Sequence, residues 1–196
     1  MSAVSQPRFR PASRHDVPAV LALLAAGFDT YRRFGPEGWT PPEQGRGAAM
    51  STEHLLTHGE TWFVVARDER GHAGQCGYYP AHAQPMMRGA PVLGLAHLWQ
   101  LVVREDLWGT GLAGELHDRA LTSMVERGFT RARLNTAAAH ARARAFYERR
   151  GWRVDGPSPD RLGSPGLELV RYGLELPAPG RDASSTRPDG PLPSRA

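Results

Sequence analysis

Blocks of apolar residues with two different spacings alternate along the chain with short polar and glycine-rich segments. After the helix-start sequence Ser13-Arg14-His15-Asp16, apolar residues recur at helical spacing from Val17 until Gly27. Residues 61–67 (TWFVVAR) are rich in aromatic and β-branched side chains, which is typical of a strand. This reasoning predicts strands at 8–10, 61–67, 72–79, 92–103, 131–135 and 168–176, and helices at 17–27, 43–58, 112–127 and 139–150.

The order of these elements indicates the fold class. Strands joined by short turns come first and a strand–helix–strand unit follows, which differs from a doubly wound sheet. The sequence therefore predicts a mixed, mostly antiparallel α/β sheet of about six to seven strands flanked by about four helices. Because residues 177–196 are rich in Pro, Gly, Ser, Arg and Asp, we expect a folded domain at 8–176 between a flexible N-terminus (1–7) and a disordered tail.

Composition narrows the chemistry. All 24 Lys and Arg positions are Arg, which excludes a Walker A lysine and a Schiff-base lysine. The single cysteine, Cys76, allows neither an internal disulfide nor a cysteine-based zinc site. Because no apolar run reaches roughly 20 residues and no signal-peptide pattern is present, we expect a cytoplasmic protein without membrane contact. The net charge of +4 is spread along the chain, which argues against nucleic acid and suits an anionic small ligand.

A glycine-rich turn at residues 108–114 (WGTGLAG) joins the long predicted strand to a helix. Glycines let the backbone approach an anion closely, and the unpaired N–H groups of the first helical turn point at it, so the segment predicts a phosphate or pyrophosphate site. The spacing Gly109-x-Gly111-x-x-Gly114 also fits a dinucleotide fingerprint. That interpretation fails on context, because the next strand lacks an acidic residue at its end. A plain tight turn before a helix stays open as the alternative.

This turn and the strand before it resemble motif A of the GCN5-related N-acetyltransferase (GNAT) superfamily, which reads Gln/Arg-x-x-Gly-x-Gly/Ala. Gly111 and Ala113 take the two small positions, and Trp108 stands where the family has Gln or Arg. The resemblance implies the GNAT fold, a bulged strand that splays from its neighbour, and acetyl-CoA (coenzyme A) as co-substrate without a metal. The residues that it assigns to acetyl-CoA here are Leu101, Val102, Val103, Trp108, Gly109, Thr110, Gly111, Leu112, Ala113 and Gly114.

A second stretch, residues 135–152 (NTAAAHARARAFYERRGW), resembles motif B of the same family. The resemblance assigns Asn135 and His140 to the coenzyme, with His140 in place of the usual Asn. It implies that a primary amine of a small molecule or peptide attacks acetyl-CoA directly, and that Tyr147 donates a proton to the leaving sulfur. A tyrosine pKa of about 10 lies near the thiol value of about 8.5, so this transfer is reasonable. A backbone N–H near Val102 or Val103 is the expected donor to the oxyanion.

The general base and the acceptor site are less well defined. His97 occupies a position where some family members carry Glu, and a pKa near 6.5 suits a base at neutral pH. An ordered water as base, with His97 as a plain strand residue, stays open. Residues 31–42 are expected to form a loop. An aromatic wall for the acceptor is predicted from Tyr31, Phe34, Trp39 and Trp99, with Met86 and Met87 beside it, although core packing also explains each aromatic residue.

Two alternative functions fit the same motifs. One is a non-catalytic acyl-CoA-binding sensor, against which the presence of Tyr147 argues. The other is an enzyme of another class on this fold, such as an acyl-CoA decarboxylase. His54 and His58 have the i,i+4 spacing of a metal site but lack the glutamate of a zincin, so no metal is expected. The sequence leaves open whether the protein forms a homodimer.

Overall fold

The computed structural model describes residues 6–84 and 88–177, where it contains seven strands and four α-helices. In chain order these are β1 (Arg8–Pro11), α1 (Val17–Asp29), α2 (Arg46–Thr57), β2 (Trp62–Asp68), β3 (Gly71–Gln84), β4 (Arg88–Val103), α3 (Leu112–Glu126), β5 (Arg131–Ala137), α4 (Ala141–Arg149), β6 (Arg153–Leu162) and β7 (Leu167–Glu175). The first five residues of the predicted flexible N-terminus, Met86 and Met87, and all but the first residue of the predicted tail lie outside the described residues.

The strands form one sheet in the order β1-β2-β3-β4-β5-β7-β6. Only β4 and β5 run parallel, because α3 crosses between them, and the other neighbours are antiparallel. This confirms the predicted mixed, mostly antiparallel α/β sheet. Within the part of the chain that the structure describes, no helix combines the length and apolar character needed to cross a bilayer.

The sequence prediction missed β6. This strand contains Gly156 and Pro157, which favour turns and are rare inside sheets. Among the described strands β6 lies at the edge of the sheet and pairs with β7 alone, so the missing N–H of a proline costs little there. A second difference is a short 3-10 helix, Thr30–Arg33, which overlaps the start of the segment predicted to be a loop.

Helices cover both faces of the sheet because alternate side chains of a strand point to opposite sides. In β2, Phe63 and Val65 pack with Val20 of α1 on one face. Between them, Val64 points to the other face and joins the main core with Leu116 of α3, which is fully buried. This arrangement fixes α1 and α3 on opposite sides of β4, the strand that leads to the glycine-rich turn.

Candidate active site

Strands β4 and β5 are paired only from Leu95–Arg131 to His97–Arg133, and beyond these pairs they separate. A β-bulge lies just after the separation point. Between Trp99 and Val102, β4 carries one more residue than the facing segment of β3. The bulge bends β4 away from β5 and opens a gap in the middle of the sheet.

Gln100 lies in this bulge with a φ of +50°, a left-handed conformation that is unusual for a residue other than glycine. The fully buried Gln75 holds it there, because Nε2 of Gln75 donates a hydrogen bond to Oε1 of Gln100 at 2.9 Å. The same Nε2 donates to the carbonyl oxygen of Val20 in α1 at 3.3 Å. Backbone strain is therefore maintained by buried contacts at the point where the gap begins, as is common at functional sites.

A cleft of about 830 Å³ fills the gap. The end of β4, the first turn of α3, the end of β5 and helix α4 form one side, and α1 with the following 3-10 helix forms the other. The cleft brings together most residues that the sequence assigned to the site. These are Tyr31, His97, Trp99, Leu101, Val102, Val103, Trp108, Gly109, Gly111, Ala113, Gly114, Asn135, His140 and Tyr147.

The glycine-rich turn presents backbone N–H groups to the cleft. Gly109 and Gly111 have φ values of +84° and +96°, which side chains disfavour, and nothing lies within 4 Å of where a Cβ would be. Gly111 is the N-cap of α3, and no side chain caps this helix end. The first N–H groups of the helix therefore lack intrahelical acceptors, and with the helix dipole they favour an anion at this end of the cleft.

Thr110 and Leu112 do not line the cleft. The Thr110 hydroxyl donates to the carbonyl oxygen of Leu107 at 2.7 Å, which stabilises the turn itself. The side chain of Leu112 is buried in the main core, so this residue offers the cleft only its backbone N–H. Thr110 therefore acts by stabilising the turn, and Leu112 can contribute only its backbone N–H.

The role of Trp108 differs from that of the polar residue that motif A has at this position. Its indole Nε1 donates to the carbonyl oxygen of Val103 at 3.0 Å, so the N–H of this ring supports the turn. The guanidinium of Arg142 lies over the same ring, 4.1 Å from its centroid. Arg142 therefore brings a cation to the place where motif A usually has a polar side chain.

Three arginines of the cleft were missed by the sequence analysis: Arg142, Arg149 and Arg150. Their spacing of seven and eight residues places them on one side of α4 and its C-terminal end. That spacing could have indicated a common charged face, but the arginines of such a helix more often point to solvent. The guanidinium of Arg142 lies over Trp108 and that of Arg150 over Gly114, so these two residues supply positive charge near the turn, which suits a phosphate-containing ligand.

Tyr147 lies on α4 with its ring buried between Trp152 and Tyr172, at centroid distances of 5.9 and 6.1 Å. Within the described residues, its hydroxyl makes no hydrogen bond, although it borders the cleft. Burial raises the pKa of Tyr147 well above the usual tyrosine value. The hydroxyl is therefore protonated at any working pH and is available to donate to a group in the cleft.

His97 borders the cleft, but its environment does not suit a base. Nε of Arg133 donates to Nδ1 of His97 at 3.3 Å. Burial and the positive charges of Arg133 and Arg171 lower the pKa of His97 to about 3. Such a group is neutral at pH 7 but binds a proton too weakly to remove one from an amine.

His140 begins α4, where its Nδ1 accepts a hydrogen bond from the backbone N–H of Ala143 at 3.4 Å. Its ring packs against Tyr31 and Phe34, at centroid distances of 5.3 and 4.8 Å. His140 therefore connects the start of α4 with the aromatic residues Tyr31 and Phe34. Asn135, in the second half of β5, also lines the cleft.

The predicted aromatic wall is divided between cleft and core. Tyr31 and Trp99 line the cleft, and burial raises the pKa of Tyr31 to about 12. Trp39 is only 3% exposed, and its Nε1 donates to the carbonyl oxygen of Leu162 at 2.9 Å. Phe34 packs against the cluster around Trp39. The apolar lining residues that the sequence did not predict include Leu24, Phe28, Leu162 and Leu169.

Comparisons with known proteins agree with this geometry. The sequence model of the Acetyltransferase (GNAT) family matches residues 24–152. A curated relative, the mycothiol acetyltransferase of Beutenbergia cavernae, is 32% identical over 152 residues, which cover 70% of this chain and 49% of the relative. The chain thus spans about half the length of the curated relative that it matches.

Solved structures share the fold at low sequence identity. An N-acetyltransferase from Staphylococcus aureus Mu50 has a TM-score of 0.69 at 15% identity, covering 88% of this chain and 100% of that one. The PaiA N-acetyltransferase from Thermoplasma acidophilum, solved in complex with coenzyme A, has a TM-score of 0.66 at 13% identity, covering 87% and 100%. At these identities the likeness establishes the fold alone.

Proposed function

The chain belongs to the acetyltransferase (GNAT) family, and from this premise we propose that it transfers an acetyl group from acetyl-CoA to a primary amine of a small molecule or peptide. The amine would attack directly in a ternary complex. One observation carries the proposal: the uncapped N–H groups of α3 border the same cleft as the hydroxyl of Tyr147, which makes no hydrogen bond within the part of the chain that the structure describes.

The cleft fits the two chemically different parts of acetyl-CoA. Its glycine-rich end offers backbone N–H donors and arginine side chains, which suit phosphate groups. The edge of β4 suits pantetheine, whose amide groups can pair with an open strand. Since the N–H of Arg104 bonds to β3, the neighbouring N–H of Val103 points the opposite way, into the gap.

The residues of the chain would divide the chemistry as follows. When bound, acetyl-CoA supplies the activated acetyl thioester. A backbone N–H at the end of β4 would stabilise negative charge on the carbonyl oxygen, and Tyr147 would donate a hydrogen bond to the leaving sulfur. Because burial raises the pKa of Tyr147, complete proton transfer to a thiolate becomes less favourable than the sequence alone indicated, and hydrogen bonding is the better-supported role.

The acceptor amine would enter between α1 and β5, where Leu24, Phe28, Tyr31 and Leu169 form a largely apolar surface. The lowered pKa of His97 argues against this residue as the base. We therefore propose that the amine binds as its free base and that its nitrogen would lose a proton to solvent after the C–N bond forms. The C–S bond would break with a hydrogen bond from Tyr147 to the sulfur, and the thiolate would take a proton from solvent. The rate should then rise with pH toward the pKa of the amine, without a histidine step near pH 6.5.

The test combines binding and turnover on the full chain. Thermal-shift titrations with acetyl-CoA, NAD and ATP should give a saturable increase of the melting temperature with acetyl-CoA alone. A panel of small-molecule and peptide amines is then screened for release of free coenzyme A thiol. Release that depends on an amine supports the proposal. Saturable binding without release for any amine would favour the sensor alternative, and a shift with NAD alone would remove the acetyl-CoA assignment.

A further inference from the structure

Arg150, the residue just after α4, reaches across to the first turn of α3. A Cβ added to Gly114 would overlap Nη2 of Arg150, so the guanidinium lies directly over the backbone of Gly114. It also stacks on Phe146, 4.8 Å from the ring centroid. Glycine is therefore the only residue type that leaves room for this approach. Gly114 lies at the end of the cleft that favours an anion.

A chain of hydrogen bonds holds Arg150 in this place. Its Nη1 donates to Oδ1 of Asp118 at 2.7 Å, and the same carboxylate oxygen lies 2.9 Å from Nδ1 of His117. Nε1 of Trp152 donates to Nε2 of His117 at 2.9 Å. Indole N–H is only a donor, so Nε2 of His117 must be the acceptor and Nδ1 carries the proton that it donates to Asp118.

The hydrogen-bond chain from Trp152 through His117 and Asp118 to Arg150 has more members than an ion pair needs for stability. The side chain of Asp118 is 62% exposed, and an exposed pair contributes little to stability. His117, in contrast, is 1% exposed, and burial lowers its pKa, which keeps the ring neutral and the tautomer fixed. A buried, single-tautomer histidine orients the Asp118 carboxylate, and the carboxylate in turn fixes one arm of the Arg150 guanidinium. The other arm, Nη2, lies over Gly114, and both residues line the cleft.

We propose that Arg150 binds the phosphate groups of coenzyme A beside Gly114, and that Asp118, His117 and Trp152 are positioning residues that hold its guanidinium there. The inference rests on the proposed function, since it assigns a role within the same cofactor site. Arginine suits this role because its planar fork can bind a carboxylate with one arm and a phosphate oxygen with the other. An orientation fixed before binding also lowers the entropy cost of ordering the side chain.

The first test measures the dissociation constant of coenzyme A by isothermal titration calorimetry at low and moderate salt. Arg150→Gln should weaken binding by about tenfold or more, the range for one charge-assisted hydrogen bond, and should flatten the salt dependence. Asp118→Ala should weaken binding less, by about threefold to tenfold, and Asp118→Glu should restore part of it. The matched control is Arg127→Gln, which removes the same charge at the opposite end of α3.

A double-mutant cycle tests the contact with Gly114. Alanine is favoured in a helix, so Gly114→Ala should not lower the melting temperature, but its methyl group must displace the Arg150 guanidinium. Coenzyme A binding should weaken in the wild-type background and change by less than about twofold in the Arg150→Gln background.

The outcomes separate the two proposals. If the wild-type protein does not bind coenzyme A at all, the proposed function fails. If it binds while Arg150→Gln binds equally well at both salt concentrations, the role of Arg150 is overturned and the proposed function stands. Equal weakening by Gly114→Ala in both backgrounds would mean that the methyl group itself blocks the cofactor, which overturns the assigned contact. If Arg127→Gln weakens coenzyme A binding as much as Arg150→Gln does, the loss of affinity comes from net charge alone. That result would overturn the assigned position of Arg150 beside the phosphate groups.

Discussion

Replacing Tyr147 with phenylalanine separates a catalytic hydroxyl from a structural one. The hydroxyl borders the cleft and makes no hydrogen bond within the described residues, so its removal leaves no buried partner unsatisfied. The ring contacts with Trp152 and Tyr172 are kept by phenylalanine. The change therefore removes one donor from the cleft and almost nothing from the core.

The expected magnitudes follow from these contacts. The free energy of unfolding should change by no more than about 0.5 kcal/mol, which moves the melting temperature by less than about 2 °C. Loss of a donor to the leaving sulfur should lower kcat by about tenfold to a hundredfold, or about 1.4–2.7 kcal/mol in activation free energy. Coenzyme A binding should change little, because the hydroxyl would act mainly as the carbon–sulfur bond breaks.

Tyr172→Phe is the matched control. The hydroxyl of Tyr172 donates to Oε1 of Glu148 at 2.6 Å and accepts from Nε of Arg144 at 3.1 Å, and it does not line the cleft. Its loss should lower stability by about 1 kcal/mol and leave kcat unchanged.

The assay is steady-state release of free thiol at saturating acetyl-CoA, with circular dichroism melts and coenzyme A titrations of the same preparations. Unaltered turnover in Tyr147→Phe would refute the donor role. A large drop in melting temperature with a proportionate loss of activity would show instead that the hydroxyl is structural.

Three further variants test the site and its supports. Gly111→Ala places a side chain at a φ of +96°, so it should cost about 1–2 kcal/mol in a urea melt and weaken coenzyme A binding. Asp16→Asn removes a carboxylate whose pKa Arg10 lowers from 3.8 to about 2, which corresponds to at most about 2.5 kcal/mol of stability. This contribution is present above pH 3.8 and is lost toward pH 2, so the stability difference between the wild type and Asp16→Asn in urea melts should be smaller at pH 2.5 than at pH 7. The pKa of His97 is lowered from 6.5 to about 3, so the folded protein loses stability as the pH falls through this window. His97→Gln should therefore lose less stability than the wild type between pH 7 and 4.5, and equal losses would contradict the lowered pKa of His97.

The features that the sequence predicted well are those set by neighbouring residues. Helical spacing after Val17 and the run of apolar residues before the glycine-rich turn placed α1 and β4, because periodicity and glycine content act over a few residues. The turn at Gly109 and Gly111 adopts the positive φ values that only its own residue types favour. Motif resemblance then placed Tyr147 and the turn at the same cleft. The order of elements similarly determined the mixed sheet, apart from β6.

Other features depend on which distant segments meet, and only the tertiary structure decided them. The sequence treated Tyr31 and Trp39 alike, yet packing against Ala137 and Leu167 buries Trp39 in the core while Tyr31 lines the cleft. The sequence assigned His97 an ordinary pKa, which burial beside Arg133 and Arg171 lowers. Arg150 meets Gly114 and Asp118 across two separate helices. The burial of a side chain and the charges around it depend on residues that are far apart in the sequence, so the pattern of neighbouring residues does not predict them.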